Sequence, residues 1–182
     1  MNLFSEPSLD ELASTIMPSP RLTSSLAPPL HFEVYDVRQS SNPHRATRSR
    51  PTAAQKQGLR YEQRAKGFLR SLYPSFVDGP WLSYRRLADH QRRFCQPDGF
   101  VFEDGGRLTI FEIKYRWCAD AATQLALYRA TLGVLLSPRE SRCVCVTRSF
   151  DPAVRFEGRA HFIDDPSRRD SAADSIGIFI WK

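Results

Sequence analysis

A carboxylate and an ammonium group stand two residues apart in the most strand-like segment of this sequence. Glu112 and Lys114 flank Ile113 near the end of an apolar run. Because side chains alternate along a β-strand, both groups project from the same face of the sheet. A surface ion pair at a strand end would explain them without any function. The same two groups can also hold a cation and a phosphate. The neighbouring residues are therefore needed to choose between a surface ion pair and a functional site.

A second carboxylate, Asp98, follows Pro97 in the preceding strand-like segment. Residues 103–106 have the composition of a hairpin turn, and antiparallel pairing across that turn brings Asp98 close to Glu112. Two adjacent carboxylates repel each other unless a cation lies between them. Their hard oxygens suit Mg²⁺ (or Mn²⁺) better than zinc. Beside such an ion, Lys114 could orient a water, stabilise a phosphate in the transition state or, with a lowered pKa, accept a proton.

Pro97 and Asp98, followed after thirteen intervening residues by Glu112, Ile113 and Lys114, resemble the signature of the PD-(D/E)XK nucleases. This resemblance implies that Asp98, Glu112 and the backbone carbonyl of Ile113 bind the metal. It also implies a restriction-endonuclease-like core and hydrolysis of phosphodiester bonds. The similarity extends over approximately residues 58–146 and leaves both ends of the chain without an interpretation.

Two further residue pairs resemble motifs of the RecB-like branch, which includes phage-type exonucleases. Gly58 and Glu62 match its GxxxE element, and Gln124 and Tyr128 match its QxxxY element. The resemblance implies that Glu62 is an accessory acid of the metal site. It implies that Gln124 and Tyr128 support the catalytic site and contact DNA near the scissile phosphate. An exposed helical glutamate and a structural hydrogen-bonded pair are the alternatives.

Positive charge is concentrated in one part of the chain, whose formal net charge is +6. The segment 45–93 holds twelve Lys and Arg but three Asp and Glu. Clustered cations of this kind are typical of phosphate contacts. The predicted DNA-binding residues are Arg60, Arg64, Arg85, Arg86, Arg92 and Arg93. Trp81, Tyr84 and Trp117 could stack on unpaired bases, although residues such as Trp81 and Tyr84 more often pack in the core or at its rim.

Hydrophobic periodicity predicts the elements that position these residues. Helices are expected at 8–17, 52–72 and 119–136, and strands at 31–37, 81–86, 94–102, 107–115, 142–146, 160–163 and 176–181. Apolar residues on both faces of 107–115 indicate a central strand. This order predicts an α/β (α+β) fold with a mixed central sheet flanked by helices. Proline and serine in residues 1–50 predict a partly ordered N-terminal arm before a compact domain at 51–182.

These features predict a Mg²⁺-dependent deoxyribonuclease that acts as an exonuclease or structure-dependent nuclease on linear or single-stranded DNA. A catalytically inactive DNA-binding or assembly module with the same fold is the alternative from another class. An RNA nuclease, or a subunit that needs a helicase, also stays open. A helicase, recombination protein or second copy of the chain is a possible partner. With neither a membrane span nor a secretory signal apparent, the expected location is cytoplasmic.

Overall fold

A computed structural model describes residues 31–44, 50–150, 160–167 and 175–182. The predicted helix at 8–17 lies outside these ranges. In chain order the elements are β1 (Val34–Ser40), α1 (Ala53–Leu72), β2 (Phe76–Asp78), β3 (Trp81–Arg86), β4 (Arg92–Cys95), β5 (Gly99–Glu103), β6 (Arg107–Arg116), α2 (Ala119–Leu136), β7 (Glu140–Ser149), β8 (Ala160–Ile163) and β9 (Ile176–Ile180).

A six-stranded mixed sheet forms the centre of the fold, in the order β2-β5-β6-β7-β9-β8. The β2–β5 and β5–β6 pairs are antiparallel. The β6–β7, β7–β9 and β8–β9 pairs are parallel. Because parallel neighbours need a crossover, α2 connects β6 to β7 across one face of the sheet. The predicted α/β (α+β) class, with a mixed central sheet flanked by helices, is confirmed.

The two faces of β6 pack against different helices. Leu108 and Ile110 belong to the same buried cluster as Leu125 of α2. Phe111 lies in a second cluster with Leu69 of α1. The predicted central position of this strand is therefore confirmed, and each face of β6 carries its side chains into a different half of the core.

The predicted single strand at 94–102 is wrong, because residues 96–98 are not in a strand and connect two strands that belong to different sheets. β4 pairs with β3 in a separate antiparallel sheet of order β1-β3-β4, whereas β5 pairs with β6. Pro97 has no N–H to donate to a ladder. Gly79 packs directly on its backbone, since a Cβ there would lie 1.7 Å from the Pro97 carbonyl oxygen. The break leaves Asp98 just outside β5.

Part of the predicted N-terminal arm contributes a strand. β1 lies three residues further along the chain than predicted and pairs antiparallel with β3. Val34 and Val37 pack against the same buried cluster as α2. Proline and serine in the flanking residues suggested an arm, but burial of these valines attaches the segment to the fold.

Both predicted helices in the described residues are confirmed. Thr52 caps α1 by accepting a hydrogen bond from the Gln55 backbone, and the Gln55 side chain caps Thr52 in return. α2 ends at Ser137, which adopts a left-handed conformation before Pro138. Neither helix is long and apolar enough to cross a membrane.

Candidate metal centre

The end of β5 places Asp98 beside Glu112. Gly99 pairs with Phe111 in the antiparallel register, so the next residue pair along the two strands is Asp98 and Glu112. Since β5 begins at Gly99, no strand backbone accepts the next N–H of β6. The carboxylate of Asp98 takes that place, because its Oδ2 accepts a hydrogen bond from the Ile113 N–H at 2.6 Å. The end of the β5–β6 pairing at Gly99 therefore holds the Asp98 carboxylate in position.

Glu112 is a carboxylate inside the core, only 2% exposed. Its Oε1 accepts a hydrogen bond from Lys114 Nζ at 2.5 Å. Its Oε2 is buried and has no hydrogen-bond partner among the described residues. Burial, followed by the neighbouring charge of Asp98, raises the pKa of Glu112 to about 8. An unpaired buried carboxylate oxygen is destabilising and calls for a cation or a proton.

Asp98 responds to the same environment. Burial raises its pKa, the hydrogen bond from Ile113 opposes that change, and the charge of Glu62 raises the pKa further. Two carboxyl groups that disfavour each other's ionisation hold a proton between them until a cation replaces it. The pair is therefore a site of concentrated negative potential under α2.

The donor set fits a hard divalent cation. Mg²⁺ is commonly held by one or two carboxylates and keeps several of its waters. Asp98 and Glu112 supply the carboxylates, and the unpaired Oε2 of Glu112 is an available ligand atom. The N–H and C=O of one residue point to the same side of a strand, so the Ile113 carbonyl lies on the side of Asp98. The described residues hold no group of three or more His, Cys, Asp or Glu suited to a metal.

Lys114 is positioned as a charged group. Burial lowers its pKa, but the charge and hydrogen bond of Glu112, together with Asp98, outweigh burial and raise it. Its side chain is 26% exposed, whereas that of Glu112 is 3% exposed. The ammonium group is thus reachable from solvent while its partner is not. Of the roles left open by the sequence, this favours charge stabilisation over proton acceptance.

Glu62 lies within electrostatic reach of Asp98, because its charge raises the pKa of that carboxyl group. It also forms an ion pair with Lys66 at 2.7 Å, one helical turn further along α1. Lys66 lowers the pKa of Asp98 and was not predicted as a site residue. The i,i+4 spacing from Glu62 was the pattern that could have identified it.

Gln124 and Tyr128 occupy one face of α2, four residues apart. The Oε1 of Gln124 is buried and has no hydrogen-bond partner among the described residues. Tyr128 is 5% exposed, and burial raises its pKa, with further contributions from Glu112 and Asp98. Tyr128 therefore lies close to the carboxylates as a neutral phenol. An unpaired amide oxygen and a phenol can both bind a polar ligand.

Two of the predicted DNA-binding arginines are held by a carboxylate from β1. Asp36 pairs with Arg92 at 2.7 Å and with Arg85 at 3.4 Å. It also pairs with Arg38 at 2.8 Å. Burial opposes ionisation, but Arg38 and Arg92 lower the pKa of Asp36. The sequence missed this cluster because Asp36 lay in the predicted arm.

The other two arginines of the small sheet also have partners. Arg93 pairs with Asp89 at 2.6 Å, and the Arg86 guanidinium lies 5.2 Å from the centre of the Phe32 ring. Tyr84 and Trp117 are each 5% exposed, which excludes base stacking by either ring in this conformation. The phosphate contacts predicted for the small sheet stay a prediction.

Arg60 and Arg64 lie apart from this cluster. Both line a cavity between α1 and the ends of β6 and β7, together with Arg148. Arg148 lies two residues beyond the strand predicted at 142–146, so the sequence did not connect it with α1. The predicted arginines thus fall into two groups. Arg85, Arg92 and Arg93 are paired with acids and Arg86 lies against an aromatic ring, whereas Arg60 and Arg64 border a cavity.

In comparisons with known proteins, no family model matches the chain, and neither curated proteins nor solved structures give a match. The resemblance to PD-(D/E)XK nucleases, and to their RecB-like branch, therefore stays a prediction from the motifs.

Proposed function

We propose that the protein is a metal-dependent nuclease that hydrolyses phosphodiester bonds in DNA. The observation that carries this proposal is the buried pair Asp98 and Glu112, with one oxygen of Glu112 unpaired and Lys114 on the other. Buried acids arranged in this way destabilise a fold unless they serve a ligand. A cation between them, next to a solvent-accessible ammonium, is suited to an anionic phosphate ester.

Each residue has a separate task in this proposal. Asp98 and Glu112 would hold Mg²⁺ or Mn²⁺ with the Ile113 carbonyl, and Glu62 would support the site from α1. The bound metal would supply Lewis acidity and lower the pKa of a bound water. Lys114, as an ammonium, stabilises the negative charge that grows on the phosphate oxygens.

The residues of α2 complete the surroundings of the reacting ester. Tyr128, kept neutral by burial, can donate a hydrogen bond to a phosphate oxygen. Gln124 presents an amide that has lone pairs and N–H groups to offer. Apolar neighbours such as Leu125 exclude water and strengthen these interactions. In hydrolysis, a water oxygen bonds to phosphorus, one P–O ester bond breaks, and the departing oxygen takes up a proton.

Linear or single-stranded DNA in the cytoplasm is the substrate in this proposal, through exonuclease or structure-dependent cleavage. The test incubates the purified chain with linear duplex, circular duplex and single-stranded DNA in Mg²⁺ or Mn²⁺. Asp98→Ala and Lys114→Ala are expected to lose cleavage yet still bind DNA. Asp104→Asn, which changes an exposed acid in the β5–β6 turn, is the matched control and should cleave normally.

Two results would oppose the proposal. Absence of cleavage by the parent chain on every substrate would favour the inactive DNA-binding or assembly module. Equal cleavage by the parent and both site variants would show that a contaminant is responsible. An RNA substrate in the same assay tests the RNA nuclease alternative, and addition of a helicase or a recombination protein tests dependence on a partner.

A further inference from the structure

A cavity of about 490 Å³ lies on the face of the central sheet opposite the carboxylates. Arg60 and Arg64 border it from α1, one helical turn apart, while Tyr115 borders it from β6 and Arg148 from the end of β7. Its size lies in the range of small-molecule sites. The cavity is therefore large enough for a ligand of nucleotide size.

Three guanidinium groups line this cavity without acidic partners. Within the described part of the chain, neither Arg60, Arg64 nor Arg148 forms an ion pair with a carboxylate. Arg85, Arg92 and Arg93 of the small sheet, by contrast, are paired with Asp36 or Asp89. Like charges gathered around a cavity repel one another, so the arrangement favours an anion with more than one negative charge.

Aromatic rings hold two of these guanidiniums in place. Arg148 lies 5.2 Å from the centre of the Tyr115 ring and donates a hydrogen bond to its hydroxyl. Gln57 Nε2 donates to the same hydroxyl at 2.6 Å. Arg64 lies 5.3 Å from the centre of the Trp181 ring. Contact with an aromatic ring restricts each guanidinium group, which reduces the entropy lost on binding, and leaves further N–H groups for an anion.

The cavity is separate from the candidate metal centre. Tyr115 and Glu112 are three residues apart on β6, a separation of about 10 Å along a strand. Their side chains project from opposite faces. One bound phosphate therefore cannot occupy both places.

We propose that this cavity binds the phosphate group of a nucleotide as a phosphomonoester. A phosphomonoester carries close to two negative charges at neutral pH and offers three acceptor oxygens. Forked guanidinium groups match those oxygens better than single ammonium charges do. The choice of a nucleotide among phosphomonoesters rests on the proposed nuclease function. A free mononucleotide and the phosphorylated end of a DNA strand carry the same group.

The test measures binding by the whole chain in EDTA, where metal-dependent cleavage cannot occur. Calorimetric titrations compare deoxythymidine monophosphate with thymidine. Anisotropy compares a 5′-phosphorylated oligodeoxythymidylate with its unphosphorylated form. The monophosphate is expected to bind and thymidine is not. Preference for the phosphorylated oligonucleotide would identify a strand end as the source, whereas equal affinity for both oligonucleotides would identify the free nucleotide.

Arg60→Gln with Arg148→Gln is expected to weaken monophosphate binding by about tenfold or more, because two charge-assisted contacts are lost. Arg139→Gln, an exposed change near the opposite end of β6, should change affinity less than about twofold. Arg148→Lys keeps the positive charge but loses the forked N–H groups of the guanidinium. Its affinity for the monophosphate should lie between those of the parent and the double variant, and it tests the proposal even if the double variant does not fold.

Unchanged affinity in Arg148→Lys and in a folded double variant would overturn the proposal, as would equal losses in Arg139→Gln. So would failure of both phosphorylated probes to bind. These outcomes are independent of the cleavage assay. Binding of the monophosphate without DNA cleavage would contradict the proposed nuclease function and support the phosphate site. Cleavage without phosphate binding would support the nuclease function and contradict the phosphate site.

Discussion

One face of β6 packs against α2, and on that face Glu112 lies close to Tyr128 and is paired with Lys114. On the other face, Tyr115 lies beside α1 and the arginines of the cavity. The first face buries acids and leaves one oxygen unpaired. The second leaves cations beside a cavity. Two opposite electrostatic environments therefore arise within four residues of one strand.

The difference between the faces follows from the helices that cover them. Leu125, Tyr128 and Leu132 of α2 are buried in one apolar cluster with the side chains on this face of β6. In the same part of α1, Tyr61 and Ala65 are buried, whereas Arg60 and Arg64 are exposed. Desolvation raises the pKa of the acids on the first face, while Arg60 and Arg64 on the second are exposed to solvent. We infer that the α2 face governs the reaction rate and the α1 face governs affinity.

The largest effect is expected from the α2 face. Glu112→Gln removes a negative charge from the proposed metal ligands, and the single-turnover cleavage rate should fall on the order of 10³-fold. DNA affinity in EDTA at neutral pH should not fall, because metal-free Glu112, whose pKa is raised to about 8, holds a proton and glutamine carries the same charge. Glu140→Gln, an exposed acid at the start of β7, is the control. Similar single-turnover cleavage rates for Glu112→Gln and Glu140→Gln would contradict the inference that the α2 face governs the reaction rate.

A smaller effect is expected from the α1 face, in binding rather than in rate. Arg148→Gln should weaken single-stranded DNA binding several-fold at low salt and reduce the slope of log K against log salt by about one. Anisotropy measured from low to moderate NaCl in EDTA gives this slope. Glu112→Gln should leave the slope unchanged. An unaltered slope in Arg148→Gln would show that DNA does not reach this face.

The pH dependence of stability separates the faces without any substrate. The pKa of Glu112 is 4.5 in its unperturbed state and about 8 in the fold, so the stability given by its bound proton is complete below the first value. That stability is lost as the pH rises through about 8. In metal-free buffer, the parent chain should lose more melting temperature between pH 6 and pH 8.5 than Glu112→Gln does.

The excess loss should be at least about 2 °C, the shift that 1 kcal/mol gives in a chain of this size. Mg²⁺ should restore more melting temperature at pH 8.5 than at pH 6, because it replaces the proton. Parallel melting curves for the parent and Glu112→Gln across this range would contradict the raised pKa. They would also weaken the proposed metal site.

The smallest effect is expected from a hydrogen bond that supports the cavity. Tyr61 donates from its hydroxyl to the Trp181 carbonyl at 3.0 Å, and Trp181 lies beneath Arg64. Tyr61→Phe should lower stability by about 1 kcal/mol and weaken monophosphate binding less than Arg148→Gln does. Thermal melting and calorimetry measure the two changes. A larger loss of affinity than in Arg148→Gln would mean that the hydroxyl itself contacts the ligand.

Local patterns in the sequence predicted most of the fold. The helices α1 and α2 and the strand β3 followed from periodicity, capping and turn residues, which act over a few positions. The proximity of Asp98 and Glu112 followed from the length of one hairpin. The break at Pro97 was missed, because the apolar residues before and after it resemble one continuous strand, although they belong to different sheets.

The sequence alone determined which side chains share each face of β6, since alternation is a property of the backbone. It therefore placed Glu112 with Lys114 and identified Asp98 as their neighbour. Only the tertiary structure decided what covers each face. Three features join residues that are distant in sequence. They are the burial of Glu112 beside α2, the pairing of Arg85 and Arg92 with Asp36, and the position of Arg64 and Arg148 around one cavity. Desolvation and charge pairing depend on those distant contacts, and no local pattern encodes them.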